Sequence, residues 1–190
     1  MLIMSQSDLL TYRGSTICGI LKEIASNKNL YIHPISLKPK IVFAVSDIHE
    51  IGQNFTEWRF KISTTNYNAS YYEVWTTNDY INYSLIKAYF HLYCIDEEYC
   101  KIIPSGEYLL LHCDPEDNDE IHGIYKKSPH LHVKTAKHPL PHAHIALNLY
   151  SVSQIYTNVD EFTKSIKQSI KMIDDQIVKK LFEEEYQNIL

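Results

Sequence analysis

Between Phe55 and Cys113 the chain alternates in character almost residue by residue. Thr56, Trp58, Phe60 and Ile62 interleave with Phe55, Glu57, Arg59 and Lys61. Further on, Ile86, Ala88, Phe90, Leu92 and Cys94 interleave with Lys87, Tyr89, His91 and Tyr93. A period of two is the pattern of strands with two unlike faces. The breaks are short and polar: Asn66-Tyr67-Asn68, Asn78-Asp79 and Asp96-Glu97-Glu98. None can hold the crossover helix that parallel pairing requires, so the segment predicts an antiparallel meander. Expected strands are 41–45, 55–63, 71–76, 83–94, 99–103 and 107–113. The last two are expected to form a hairpin around Pro104-Ser105-Gly106.

The flanks follow a helical period. Over residues 5–27, Leu10, Ile17, Ile20, Leu21 and Ile24 share one face, with Ser5 or Ser7 as cap and Asp8 in the first turn. Pro34 and Pro39 bracket an extended connector. From Asn158 onward, Phe162, Ile166, Ile170, Ile173, Ile177 and Leu181 form a stripe at spacings of three and four. Asn158 with Glu161 matches a capping arrangement. A helix of about 30 residues would be about 45 Å long, so its far end is expected to project or meet a partner. The expected fold is α+β: an N-terminal helix, an antiparallel sheet, and a long C-terminal helix packed on the sheet. Residues 1–157 form the core and 158–190 the terminal helix of the same domain, a length one domain accommodates.

Charge narrows the function classes. The formal net charge is -5, and Lys87 is the sole basic residue between Lys61 and Lys101. Nucleic acid is therefore disfavoured as a general surface ligand, because such binding needs many phosphate contacts. Tyrosines crowd the central strands, among them Tyr71, Tyr72, Tyr83, Tyr89 and Tyr93. Without interleaved cations they suggest a protein interface, with a protein partner or a second copy of the chain. No apolar run is long enough to span a membrane. Cys18, Cys94, Cys100 and Cys113 contain no Cys-x-x-Cys pair and read as reduced thiols in a cytoplasmic protein. Size and composition suggest a bacterial accessory protein, of the kind found in toxin or phage-defence operons.

Site chemistry concentrates in one stretch. Seven of the ten histidines lie between His112 and His144. Two similar pentapeptides, Pro129-His130-Leu131-His132-Val133 and Pro141-His142-Ala143-His144-Ile145, flank His138. Residues i and i+2 of a strand share a face. Paired strands would thus bring His130, His132, His142 and His144 together, with Leu131, Val133 and Ile145 turned to the core. Imidazole is the commonest transition-metal ligand, so these four, with Asp114 or Asp47 as a carboxylate, are the candidate site for a divalent ion such as zinc. The same four histidines are the candidate catalytic residues, and without metal two of them could act as general base and acid. Lys126, Lys127, Lys134 and Lys137 would stabilise developing negative charge. The expected function is a small cytoplasmic hydrolase acting on phosphodiesters, in the manner of a phosphodiesterase or nuclease. The alternative is a non-catalytic interaction subunit using the Tyr-rich sheet and terminal helix.

Two partial resemblances bear on this reading. The paired motifs resemble those of two-histidine phosphoesterases in outline, but the third position is His132 or His144 rather than Ser or Thr. Val45-Ser46-Asp47-Ile48-His49 resembles the first metal-binding strand end of calcineurin-like metallophosphoesterases. That family's Gly-Asp and Gly-Asn-His elements have no counterpart here, so neither family is assigned. Cys113, between His112 and Asp114, is expected to be a buried inert thiol, since strand neighbours point to opposite faces.

Overall fold

The structure, a computed structural model, describes residues 2–27, 29–48, 54–64, 66–115, 120, 129–133, 145–146 and 158–179. The fold is α+β, with an N-terminal helical segment, an antiparallel sheet and a C-terminal helix packed on one face of that sheet. The strands are β1 (Ile3–Ser5), β2 (Tyr31–Leu37), β3 (Lys40–Ser46), β4 (Phe60–Lys61), β5 (Tyr67–Thr76), β6 (Asn82–Cys94), β7 (Glu107–Cys113), β8 (His130–Val133) and β9 (Ile145–Ala146). Their order is β2-β3-β5-β6-β7-β8-β9, every pair antiparallel, with β4 added beside β5 and β1 beside β6. The helices are α1 (Gln6–Asp8), α2 (Gly14–Leu21), α3 (Glu97–Ile102) and α4 (Val159–Ile173).

The meander follows from the alternation, and pairing gives the two sheet faces distinct roles. On the core face lie Ile41, Phe43, Tyr71, Trp75, Phe90, Leu92, Leu109, Leu111 and Leu131, packed against Ile17, Ile20, Leu21 and Ile24 from the N-terminal segment. Phe162, Ile166, Ile170 and Ile173 of α4 complete the layer, each 2% exposed or less. Burying one such side chain is worth about 1.5–3 kcal/mol, so the helix stripe alone anchors α4. Asn158 caps that helix by accepting from the Asp160 N–H at 2.7 Å. The opposite face carries a smaller cluster of Val42, Ala44, Trp58, Tyr72 and Val74, and beyond it the histidines.

Several expectations need correction. Leu10 is exposed and Leu9 is buried, because a π-turn over Leu9–Arg13 joins α1 to α2. A π-turn inserts one residue and shifts the helix phase. A second π-turn over Asp174–Val178 has the same effect, burying Val178 and leaving Ile177 half-buried. The helix expected to reach residue 27 is α-helical only to Leu21. Residues 55–63 form a 3₁₀ turn at Phe55–Glu57 and the two-residue β4 rather than one strand. Residues 99–103 are not a strand: Asp96 accepts from the Tyr99 N–H at 2.9 Å and caps α3. The expected turn at Asn66–Asn68 is largely strand, since β5 begins at Tyr67. The connector bracketed by prolines is β2, an edge strand, where Pro34 costs little because no partner needs its missing N–H. Along β6, Leu85 joins the core in place of Ile86, which packs with the opposite cluster, since the β5–β6 register shifts between Val74 and Trp75. The far end of the terminal helix, from Lys180, lies outside the described residues.

Candidate functional site

Three strands build the site. β6 and β7 pair Tyr89 with His112 and His91 with Leu110, while β7 and β8 pair His112 with His130 and Leu110 with His132. Directly paired residues share a face, so His91, His112, His130 and His132 all project from the side away from the helices. His112, His130 and His132 each offer one ring nitrogen, and those nitrogens lie within 4.8 Å of one another. His130 is fully buried. In a tetrahedral site with bonds of 2.0–2.1 Å, ligand nitrogens stand about 3.3 Å apart. The trio could therefore hold a metal ion once its rings move inward.

A supporting layer surrounds the trio. His91 Nε2 stands 2.8 Å from His112 Nε2, and His91 Nδ1 stands 2.8 Å from the Tyr93 hydroxyl. Two facing ring nitrogens can share one hydrogen only, so a second proton on this pair is opposed directly. Tyr89 stacks on His112 with centroids 3.8 Å apart and planes 9° from parallel. Its hydroxyl donates to Asp114 Oδ1 at 2.5 Å, and the other carboxylate oxygen is 3.9 Å from His130 Nε2. Burial, then His91, His132, His130 and Lys87, hold the His112 imidazole down to about 2. It is neutral at any physiological pH, the state that ligates metal.

Of the residues expected from sequence, His130 and His132 come together and Asp114 sits beside them. His142 and His144 lie outside the described residues, as do His138 and Lys126, Lys127, Lys134 and Lys137. Asp47 takes no part in the trio; its carboxylate accepts from the Lys61 N–H at 2.9 Å. Cys113 is fully buried on the core face, opposite His112. Sequence reasoning missed His112 and His91 as members. Their signal was present: both occupy the polar phase of strands that become neighbours once residues 97–102 are recognised as a helix.

A second polar assembly lies on the core face and was not anticipated. Arg13, inside the first π-turn, donates to Glu73 through Nε at 2.9 Å and Nη2 at 2.6 Å, and through Nη1 to Thr163 of α4 at 2.8 Å. Glu73 also accepts from Tyr71 at 2.5 Å and Trp75 at 2.9 Å. Arg13 and Glu73 are 1% and 0% exposed. Burial opposes ionisation of Glu73, yet Arg13, Tyr71 and Trp75 hold its carboxyl below the usual range. All its hydrogen bonds are internal, so it ties the N-terminal segment, β5 and α4 together rather than presenting chemistry to a ligand.

Comparison with family models, with curated proteins and with solved structures found no match. Among the described residues no helix is long and apolar enough to cross a membrane.

Proposed function

We propose that the protein is a small metal-dependent hydrolase whose divalent ion is held by His112, His130 and His132. The observation that carries this reading is the convergence of three ring nitrogens within 4.8 Å from two paired strands. A zinc-class ion with three histidine ligands supplies Lewis acidity and makes water a nucleophile near neutral pH. Asp114, held by the Tyr89 hydroxyl, brings a carboxylate to 3.9 Å from His130 Nε2 and would serve as the general base beside a bound ion. Lys87, half-buried, holds its ammonium 5.1 Å from the centroid of the Tyr89 ring. Burial lowers its pKa, with Asp114 opposing that shift. A cation beside the histidines favours an anionic substrate, and a phosphodiester is the class we assign. Four free cysteines, two of them buried, support a reducing compartment such as the cytoplasm.

The test is metal content of purified full-length protein, with turnover of a generic aryl phosphodiester. We expect about one equivalent of zinc-class metal, lost together with turnover in His112→Ala and in His130→Ala/His132→Ala. Folded wild type that takes up no metal when zinc is supplied would refute the assignment.

A second reading, a protein-interaction module, rests on a different observation. The Tyr-rich sheet does not serve it, because Tyr71, Tyr72, Tyr83 and Tyr93 are buried. The turn before β6 does: Tyr80 holds φ of 59°, and Tyr80 and Ile81 are 55% and 65% exposed. Asp79 locks this turn by accepting from the Ile81 and Asn82 N–H groups. A rigid, strained turn that displays two apolar side chains suits a protein partner or a second copy of the chain. Sedimentation of wild type and Tyr80→Gly/Ile81→Ser, with and without the metal, separates the readings.

A further inference from the structure

We propose that the cleft between Arg59 and Gly106 is an oxyanion subsite that holds a phosphate group of the substrate beside the histidine centre. The proposal rests on the hydrolase reading for its role, although the cleft's ligand class follows from its own residues.

The cleft has a volume of about 270 Å³; Arg59, Asn68, Tyr93 and Ser105 form its polar part, and Ile95 and Pro104 are among its apolar residues. That is small for a drug-sized site and suits a compact polar group. Arg59 is half-buried, with its guanidinium carbon 3.7 Å from the Tyr93 ring centroid. Stacking at that distance fixes the plane of the guanidinium. Nη1 is committed to the carbonyls of Thr56 at 2.8 Å and Trp58 at 3.1 Å. The Nε–Nη2 edge, the one that grips an oxyanion at two points, meets no carboxylate among the described residues. A held arginine that lines a cleft without an acidic partner is a receptor for an anion. Arg59 also meets the Tyr93 hydroxyl, on which its charge outweighs that of Glu107. Asn68 and Ser105 add neutral polar groups to the wall. The floor is tight: Gly106 has φ of +66°, and a Cβ there would stand 2.6 Å from the Cys94 carbonyl oxygen.

The cleft is joined to the histidines through one residue. Tyr93 forms its wall and also bonds to His91 Nδ1, whose other nitrogen meets His112. One imidazole therefore separates the wall of the cleft from a member of the metal-binding trio.

Chelator-treated full-length protein isolates the cleft from the metal. Inorganic phosphate is titrated at constant ionic strength and followed by calorimetry, with acetate as a parallel titrant. We expect saturable binding at one site, weakened about tenfold or more in Arg59→Gln and less in Arg59→Lys, which keeps charge but loses the fork. His132→Ala should bind phosphate within about twofold of wild type, since that histidine is outside the cleft. Acetate binding in preference to phosphate keeps an oxyanion subsite but overturns the phosphate assignment. No saturable binding, or equal binding in Arg59→Gln, overturns the subsite. Should Arg59→Gln fail to fold, the Arg59 Nε resonance in wild type replaces it: a phosphate-dependent shift supports the contact, and an unmoved resonance refutes it. Metal uptake is measured separately, so the subsite can fail while the metal centre stands, and the reverse.

Discussion

His91 Nε2 and His112 Nε2 face each other at 2.8 Å, reaching across from neighbouring strands. One ring must donate and the other accept, so His91 decides which nitrogen of His112 is left with a lone pair. Partners of this kind typically contribute about 10–100-fold to metal affinity. His91→Phe should weaken zinc binding by about that factor with all three ligands in place. His91→Gln, whose amide can take the place of Nε2, should weaken it less. Competition against a chromophoric chelator measures both, and unchanged affinity in His91→Phe would show that His91 only fills space.

Acid should destabilise the metal-free protein. His112 is held down to about 2 in the folded state, while an unfolded histidine titrates near 6.5. The unfolded chain thus binds an extra proton below about pH 6.5, and stability falls as pH drops from there toward the folded value. By pH 5 the loss from this residue is about 2 kcal/mol. Thermal midpoints between about pH 7.5 and 5 should decline in wild type and decline less in His112→Gln. Parallel curves for the two proteins would contradict the assignment to His112.

Breaking the Arg13–Glu73 pair from one side strands a buried charge. Arg13→Met or Glu73→Leu alone should cost about 3–5 kcal/mol in urea denaturation. The double variant should cost much less than the sum, because neither charge is then left unpaired. Additive costs would mean the two residues do not act as a pair.

Gly106→Ala tests the floor of the cleft. Its backbone lies in the left-handed region, and the added carbon meets the Cys94 carbonyl oxygen at 2.6 Å. Cys94 also donates its N–H to the Gly106 carbonyl at 2.7 Å, so the two segments cannot separate without losing a bond. We expect a loss of about 2 kcal/mol and weaker phosphate binding. An unchanged denaturation midpoint would argue against strain here.

The elements that repeat a simple period were legible in the sequence. Phe162, Ile166, Ile170 and Ile173 are buried as their spacing predicts, and β6 spans nearly the expected residues. Errors fell where one residue was added to a regular element. The π-turns exchanged Leu10 for Leu9 and Ile177 for Val178, and the β5–β6 irregularity exchanged Ile86 for Leu85. An inserted residue leaves no local mark, since its stabilisation comes from distant contacts such as Arg13 with Glu73. The site was half legible for a related reason. His130 and His132 share a strand and announce themselves by spacing, whereas His91 and His112 meet them only through strand pairing.

Tyr72 and Glu73 are consecutive on β5 and point to opposite faces, one toward Tyr89 and His91, the other into the bond with Arg13. A one-residue slip of this strand would exchange them. The carboxylate would then sit against the aromatic side without its arginine, and the guanidinium would be buried facing a tyrosine. Several kcal/mol separate that mispaired chain from the native one. Through Glu73, a single buried carboxylate serves the folding chain as an alignment mark, checked from across the core by Arg13, sixty residues before it, which Thr163 of the later helix holds in turn.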